Sequence, residues 1–375
     1  MEQVDKLFQE AISDGRIHGA VLLAKDLTVN VSRCYGVRSV REEAPEKRPP
    51  MTVDTPMRFA SMFKLVTSIM VLHIEELLPE GAAFKVLTGF DDVGKPVERD
   101  PKSPILLRHL LSHSSGIAYT LTFPLLHRYR EHQGLEIDQG YDTLDQNFGY
   151  PLLFDPGTDF AYGPGIDWAA RLVQRASGVP TEEFLQQHIA TPLGISADDM
   201  TFELQKHPST QIRRGDTTVR DAETGRLRYQ DEEYWHSDPR DAHGGQGIFT
   251  TPGAYIKVLW SILSDDGKLL RPETRRLLFE PMLTPRAEDG LAAYCEKFRK
   301  SHSVGGLVTL DDCDGDHWRR KGNLSWSGFP NIVWNIDQEV GLCSLWAFHL
   351  KPFGDPICNG LGRKFEEALY AILRK

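Results

Sequence analysis

The sequence lacks several features, and each absence excludes a class of function. Basic charge is in deficit, with 43 lysines and arginines against 53 aspartates and glutamates and a formal charge of −10. No long run of one sign occurs, so nucleic acid and anionic membrane surfaces are not expected as partners. Cysteine is scarce: Cys34, Cys295, Cys313, Cys343 and Cys358 are odd in number and scattered. That spacing fits neither a disulfide framework nor a zinc site nor a redox dithiol, and buried or incidental thiols are expected. There is no His-Glu-x-x-His, no Gly-x-Ser-x-Gly elbow and no phosphate loop, so neither a metal nor a cofactor is expected. No apolar run is long enough to span a bilayer. The segment Met1 to Gly15 carries Glu2, Asp5, Lys6, Glu10 and Asp14, which leaves no apolar core for a signal peptide. A soluble cytoplasmic protein is expected. Internal repeats and low-complexity tracts are also missing.

What is present is a globular composition. A chain of 375 residues that is 40% hydrophobic can bury one large core or two smaller ones. A short amphipathic helix is expected around Val4 to Ala11, followed by a strand pair, Gly19 to Lys25 and Leu27 to Tyr35, joined near Asp26. From Phe59 to about Leu78 the pattern is apolar nearly all round, as in a buried core helix. Residues from there to about 300 read as mostly helical, punctuated at Asp155 to Gly157, Gly178 to Pro180 and Thr251 to Gly253. Strand patterns return at Asn323 to Ser327, Asn331 to Ile336 and Leu342 to His349, before a closing helix from Gly362 to Leu373. Strands at both ends with helices between predict an α+β fold. One antiparallel sheet, from residues 1–60 and 300–375, would carry a mostly helical region, 61–299, with the active site at the seam.

The chemistry begins at Ser61-Met62-Phe63-Lys64. On a helix, positions three apart share a face, so the Lys64 amine can approach the Ser61 hydroxyl. An apolar helix and a nearby helix amino terminus both disfavour a charged ammonium, and that is how a lysine can activate a serine without histidine. A chain of this length holds on the order of one such pair by chance; what singles this one out is its place in a helix whose other residues are nearly all apolar. Tyr162, just before a helix introduced by Pro164 and Gly165, can face a cleft and shuttle a proton, or can be a packed turn residue. Trp326-Ser327-Gly328-Phe329 ends a strand; glycine there permits close backbone approach, and an amide could join that of Ser61 in an oxyanion hole. The alternative is a bulge before Pro330. The histidines of His109 to Gly116 are better explained by a helix end with a glycine stop than by a metal.

Ser-x-x-Lys, a later tyrosine and a strand ending in a glycine tripeptide together resemble the serine β-lactamase and penicillin-binding superfamily, in its class C-like branch. His109 to Gly116 is similar to that branch's His-Leu-Leu-x-His-x-Ser-Gly stretch. Phe154-Asp155-Pro156-Gly157 precedes the tyrosine as in the branch, and Gly244 to Thr251 resembles its glycine-rich approach to a late helix. The resemblance implies Ser61 as nucleophile, Lys64 as its base, Tyr162 as proton relay, and the amides of Ser61 and Phe329 as the oxyanion hole.

Two departures bear on substrate. Where β-lactamases and peptidases have Tyr-x-Asn, this chain has Pro164, which offers no side-chain amide. Where they have Lys-Thr-Gly, it has Trp326-Ser327-Gly328, without the cation that holds a β-lactam carboxylate. The tryptophan, Asp167-Trp168 after the tyrosine, and Phe329-Pro330-Asn331 after the tripeptide resemble the superfamily's esterases and fungal polyketide transesterases of the lovastatin type. The resemblance therefore implies a serine acyltransferase of secondary metabolism, moving an acyl group from an ester or thioester donor, free or carrier-bound, to a hydrophobic acceptor. Trp326, Ser327, Gly328, Phe63 and Phe160 are the expected substrate-binding residues. A carboxylesterase and a catalytically silent binding scaffold are the alternatives.

Overall fold

The strand Gly19–Lys25 (β1) is buried along almost its whole length, because its alternate residues serve two different cores. Val21 and Leu23 point into the larger one; Ala20, Leu22 and Ala24 point into a second, formed with the terminal helices. That is the two-residue period of a strand covered on both faces. In the computed structural model, which describes residues 1–28, 30–42, 44–74, 84–135, 143–230, 240–294, 299–312 and 319–373, β1 is interior to a seven-stranded sheet. Numbering the strands of this sheet alone, the others are β2 (Asn30–Gly36), β3 (Lys300–His302), β4 (Leu307–Thr309), β5 (Leu324–Gly328), β6 (Ile332–Asp337) and β7 (Leu342–Ala347), in the order β3-β4-β5-β6-β7-β1-β2. Every pairing is antiparallel. The register sets Val21 opposite Ala347 and Trp326 opposite Trp334, so the first strand of the chain closes against its last ones. The protein is α+β.

The helices Glu2–Ser13 and Pro356–Leu373 cover one face, with Phe8, Phe365 and Leu369 packed on Leu22 and Trp346. The other face meets the larger core, where the helix Lys64–Leu72 lies. All its residues from Lys64 to Val71 are buried, which is why no amphipathic stripe is visible in its sequence. The helix expected from Phe59 begins instead as a 3-10 turn, Ala60–Phe63, and ends at Leu72; Leu77 and Leu78 lie outside the described residues.

Between 61 and 299 fewer than half of the described residues are helical, and the segment carries short strands that composition did not reveal. Val86–Phe90 pairs with Pro96–Arg99. Met57–Arg58 and Met200–Thr201 flank Phe249–Thr250. Thr218–Arg220 pairs with Leu227–Tyr229 and, in parallel, with Leu350–Lys351. These strands are two to five residues long, too short for an alternation to register against turn residues. Among the described cysteines, Cys343 and Cys358 are buried and Cys34 is exposed, all unpaired; Cys295 and Cys313 lie outside the described residues. No helix among the described residues is long and apolar enough to cross a membrane.

Candidate active site

The turn bearing Ser61 is held from several sides. The Phe59 amide donates to the Ile248 carbonyl at 3.3 Å, and the buried Tyr255 hydroxyl donates to the Met62 carbonyl at 2.5 Å. Ala60 has φ of 47°, a left-handed conformation that costs a residue with a β-carbon about 1–2 kcal/mol. Strain of this kind, stored next to a reactive group and sustained by surrounding packing, is a recurrent feature of functional sites.

Lys64 opens the helix behind that turn and is 4% exposed. Its Nζ lies 3.2 Å from Ser61 Oγ, 3.2 Å from the Tyr119 hydroxyl and 2.7 Å from the Gly245 carbonyl oxygen. Tyr162 completes the group, its hydroxyl donating to Ser61 Oγ at 2.6 Å. Ser61, Lys64 and Tyr162 therefore meet at one oxygen.

Glycines make this convergence possible. A β-carbon on Gly163 would stand 2.1 Å from the Ile117 carbonyl oxygen, so the loop of Tyr162 lies directly on the loop of Tyr119, whose amide donates to the Tyr162 carbonyl at 3.1 Å. One on Gly244 would stand 2.4 Å from the Ala170 β-carbon, and one on Gly245 2.4 Å from Asp167 Oδ2. This glycine pair threads between the helices Lys64–Leu72 and Gly165–Ser177, pinned by Thr67 Oγ1 donating to the Gly244 carbonyl at 2.6 Å and by the Gly245 amide donating to Asp167 Oδ1 at 2.9 Å.

The end of β5 forms the facing wall. A β-carbon on Gly328 would lie 2.4 Å from the Phe59 carbonyl oxygen, which brings the strand end against the turn bearing Ser61. Trp326 packs at 5.4 Å from the Tyr162 ring and 5.1 Å from that of His302. Behind them stand His113, 4.7 Å from Tyr162, and Phe160, 4% exposed with Ala287, Leu291 and Leu307. Burial holds the His302 imidazole down at about 4 and that of His113 well below its ordinary value; the nearby Lys64 acts in the same direction on both. The two histidines are neutral at neutral pH.

The sequence resembles the beta-lactamase family over residues 4–349. The chain belongs to that family. Its beta-lactamase relatives include monacolin J acid methylbutanoyltransferase of Aspergillus terreus, 42% identical over 98% of this chain and 95% of that one. Lovastatin esterase of Penicillium rubens is 31% identical over 98% of each. Among solved structures, a mutant of simvastatin synthase from Aspergillus terreus superimposes with a TM-score of 0.91 at 42% identity, covering 100% of this chain and 97% of that one. Within the beta-lactamase family this protein is an enzyme of the acyltransferase and esterase type.

One expected residue does not belong to the site of this beta-lactamase relative. Phe63 is 0% exposed and meets Phe202 edge-on at 5.2 Å inside the larger core, so it has no surface to give a substrate. Phe160, nearly buried, backs the cleft wall. Phe329 is 54% exposed in the turn after β5 and stacks on Phe353 at 6.4 Å. His109 accepts the Leu106 amide on Nδ1 at 3.2 Å and His113 accepts that of Gly163 at 3.3 Å; the helix Leu107–Leu111 ends without the expected glycine stop, since His113, with φ of 58°, takes the left-handed conformation behind it. Gly116 has φ of 88° and no room for a β-carbon beside the Phe154 carbonyl. No group of three or more histidine, cysteine, aspartate or glutamate side chains among the described residues could hold a metal ion.

Tyr119 and Asp167 were missed as site residues. Tyr119 carries no motif of its own, and its place beside Lys64 depends on the contact of Gly163 with Ile117. Asp167 was noticed only as sequence context, although a carboxylate on the first turn of a helix just after the tyrosine was a signal available to find it.

Proposed function

We propose that Ser61 is acylated by an ester or thioester donor and passes the acyl group to a hydrophobic alcohol. What carries this reading is the meeting of the Lys64 amine and the Tyr162 phenol at the Ser61 hydroxyl oxygen. In the first step Lys64 takes the serine proton as Oγ bonds to the donor carbonyl. The tetrahedral oxyanion rests between the backbone amides of Ser61 and Phe329, in keeping with the approach of Gly328 to Phe59. As the carbonyl re-forms, the bond to the donor's alcohol or thiol breaks, and Tyr162 relays the proton to that leaving group. The second step runs the same path in reverse, with the acceptor hydroxyl in place of the leaving group.

The substrate class follows from the wall. By the resemblance, Trp326 replaces the cation that holds a β-lactam carboxylate, and Pro164 offers no amide to a peptide. Trp326 then presents an apolar face to the acyl chain or acceptor, with the backbone of Ser327 and Gly328 beside it. One relative named for acyl transfer and another named as an esterase support this class and leave hydrolysis as the second reading. We place the reaction in the cytoplasm, with a donor that is free or carrier-bound. Mass spectrometry of the intact protein after incubation with a panel of acyl thioesters tests the reading. An acyl mass increment that is absent in Ser61→Ala is the expected result; no increment with any donor overturns it.

A further inference from the structure

The carboxylate of Asp167 takes no part in the steps above, yet it is 0% exposed and stands beside them. It accepts the Gly245 amide at 2.9 Å on one oxygen and the Tyr119 hydroxyl at 3.5 Å on the other. A β-carbon on Gly245 would stand 2.4 Å from Asp167 Oδ2 and 3.1 Å from Lys64 Nζ, so carboxylate and amine face one point. The other titratable groups around this pair are Tyr119, Tyr150, Tyr162, His113 and His302. Burial, and next the charge of Asp167, push the Tyr119 phenol well above its ordinary value, and it keeps its proton.

Hydrogen-bond polarity then leaves one arrangement. A carboxylate only accepts, so the Tyr119 hydrogen goes to Asp167 and the Tyr119 oxygen is left to accept from Lys64. The Gly245 carbonyl accepts as well. A neutral amine has two N–H groups and one lone pair; with both N–H groups so engaged, the lone pair is left for the Ser61 hydroxyl. Once the proton has moved, three N–H groups face three oxygens already in place at 2.7 to 3.2 Å.

We propose that Asp167, acting through Tyr119, is the positioning residue of the base: it keeps the Lys64 lone pair turned to Ser61 and balances the charge that Lys64 gains with the serine proton. The proposal rests on the reading of Lys64 as the base. An asparagine would still accept the Gly245 amide, but its NH2 can donate to Tyr119, which frees the phenol hydrogen to turn onto the lysine lone pair.

The test is the burst of p-nitrophenol from p-nitrophenyl butyrate, followed across pH. Asp167→Asn is expected to slow acylation about tenfold or more while KM stays within about twofold. The acid limb of the rate profile is expected to move to lower pH, because the charge that favours a proton on this cluster is gone. In a Tyr119→Phe background the same substitution should cost much less, since the link is already broken. A wild-type rate and pH profile in Asp167→Asn, or an equal loss in both backgrounds, overturns the proposal. Should Asp167→Asn fail to fold, Tyr119→Phe alone must slow acylation without raising KM, and an unchanged rate there overturns it too. Lys64→Ala separates the two readings: if it acylates normally the base assignment fails, whereas if it is silent and Asp167→Asn is unaffected, only the role of Asp167 fails.

Discussion

The Tyr162 hydroxyl donates to Ser61 Oγ across 2.6 Å, joining two residues 101 positions apart in sequence. The same serine oxygen lies 3.2 Å from Lys64 Nζ. On the proposed mechanism the two partners move protons in opposite directions, and their variants are expected to fail differently. Lys64→Ala should reduce acylation by roughly 10²–10⁴-fold and leave the fold intact, since an alanine in that apolar helix removes a buried polar group. Tyr162→Phe should slow both the arrival and the departure of the acyl group. Burst and steady-state rates, with circular dichroism as the control for folding, check the pair; a folded Lys64→Ala with a wild-type burst would remove Lys64 from the mechanism.

Gly328 offers a sharper structural test. A methyl group there would sit 2.4 Å from the Phe59 carbonyl oxygen, a backbone atom that cannot swing away. Gly328→Ala is therefore expected to push β5 off the turn of Ser61 and to destabilise the protein by about 1–3 kcal/mol. Acylation should fall further than stability alone explains, because the Phe329 amide moves with the strand. Urea unfolding beside the burst rate measures the two effects separately, and an unperturbed burst in a destabilised variant would argue against an oxyanion role for that amide.

Much of this was legible in the sequence, for identifiable reasons. Ser61 and Lys64 could be paired because three residues on a helical turn fix their neighbourhood whatever else the chain does. The strands Gly19–Lys25, Ile332–Asp337 and Leu342–Ala347 stood out because each is a mostly apolar run bounded by turn residues, and Leu324–Gly328 because Leu324 and Trp326 alternate with serines. Tyr119 was not legible, since its position is set by two loops touching at Gly163 and Ile117, a contact no local pattern encodes. Phe63 was misplaced because its nearness in sequence to Ser61 says nothing about which way a fully buried helix start turns its ring.

Acid stability should follow the buried histidines. Burial, then the charge of His349, hold His18 down at about 3, and His302 is held at about 4, against about 6.5 in an unfolded chain. Between those values the unfolded state binds the proton and the folded state does not, so stability is lost as pH falls from about 6.5 toward 4. Each histidine contributes a slope of about 1.4 kcal/mol per pH unit in its window. Urea unfolding from pH 8 to pH 4 should show this slope, and His302→Gln should flatten it; an unchanged slope in that variant would mean that His302 is already charged in the folded protein.

Trp326 should govern substrate choice rather than chemistry. Trp326→Ala is expected to raise KM for hydrophobic esters while a fluorophosphonate still labels Ser61, because the ring packs on Tyr162 and His302 without touching the proton path. Trp326→Lys would restore a cation to the wall, but Pro164 still leaves the amide side of a β-lactam unsupported, so little or no β-lactam hydrolysis is expected. Efficient hydrolysis of a penicillin by the unmodified enzyme, followed by absorbance, would contradict the reading of both departures.

Which nucleophile resolves the acyl-enzyme is the remaining question, and the wall makes a prediction about it. Water is always present at high concentration, so transfer dominates only when an acceptor is bound and oriented with a high effective molarity. The apolar surface of Trp326, backed by Phe160 and Leu307, and the exposed stack of Phe329 on Phe353 beyond the strand end offer places for a flat or polycyclic acceptor. Given a short acyl thioester and a panel of hydrophobic alcohols, ester is expected to form faster than free acid with at least one acceptor. The ratio of ester to acid should also rise to a plateau with acceptor concentration, since a bound acceptor saturates whereas a merely colliding one does not. Chromatography of both products gives that ratio directly. If free acid is the sole product with every donor and every alcohol, hydrolysis is the reaction, and the apolar wall serves the acyl chain alone.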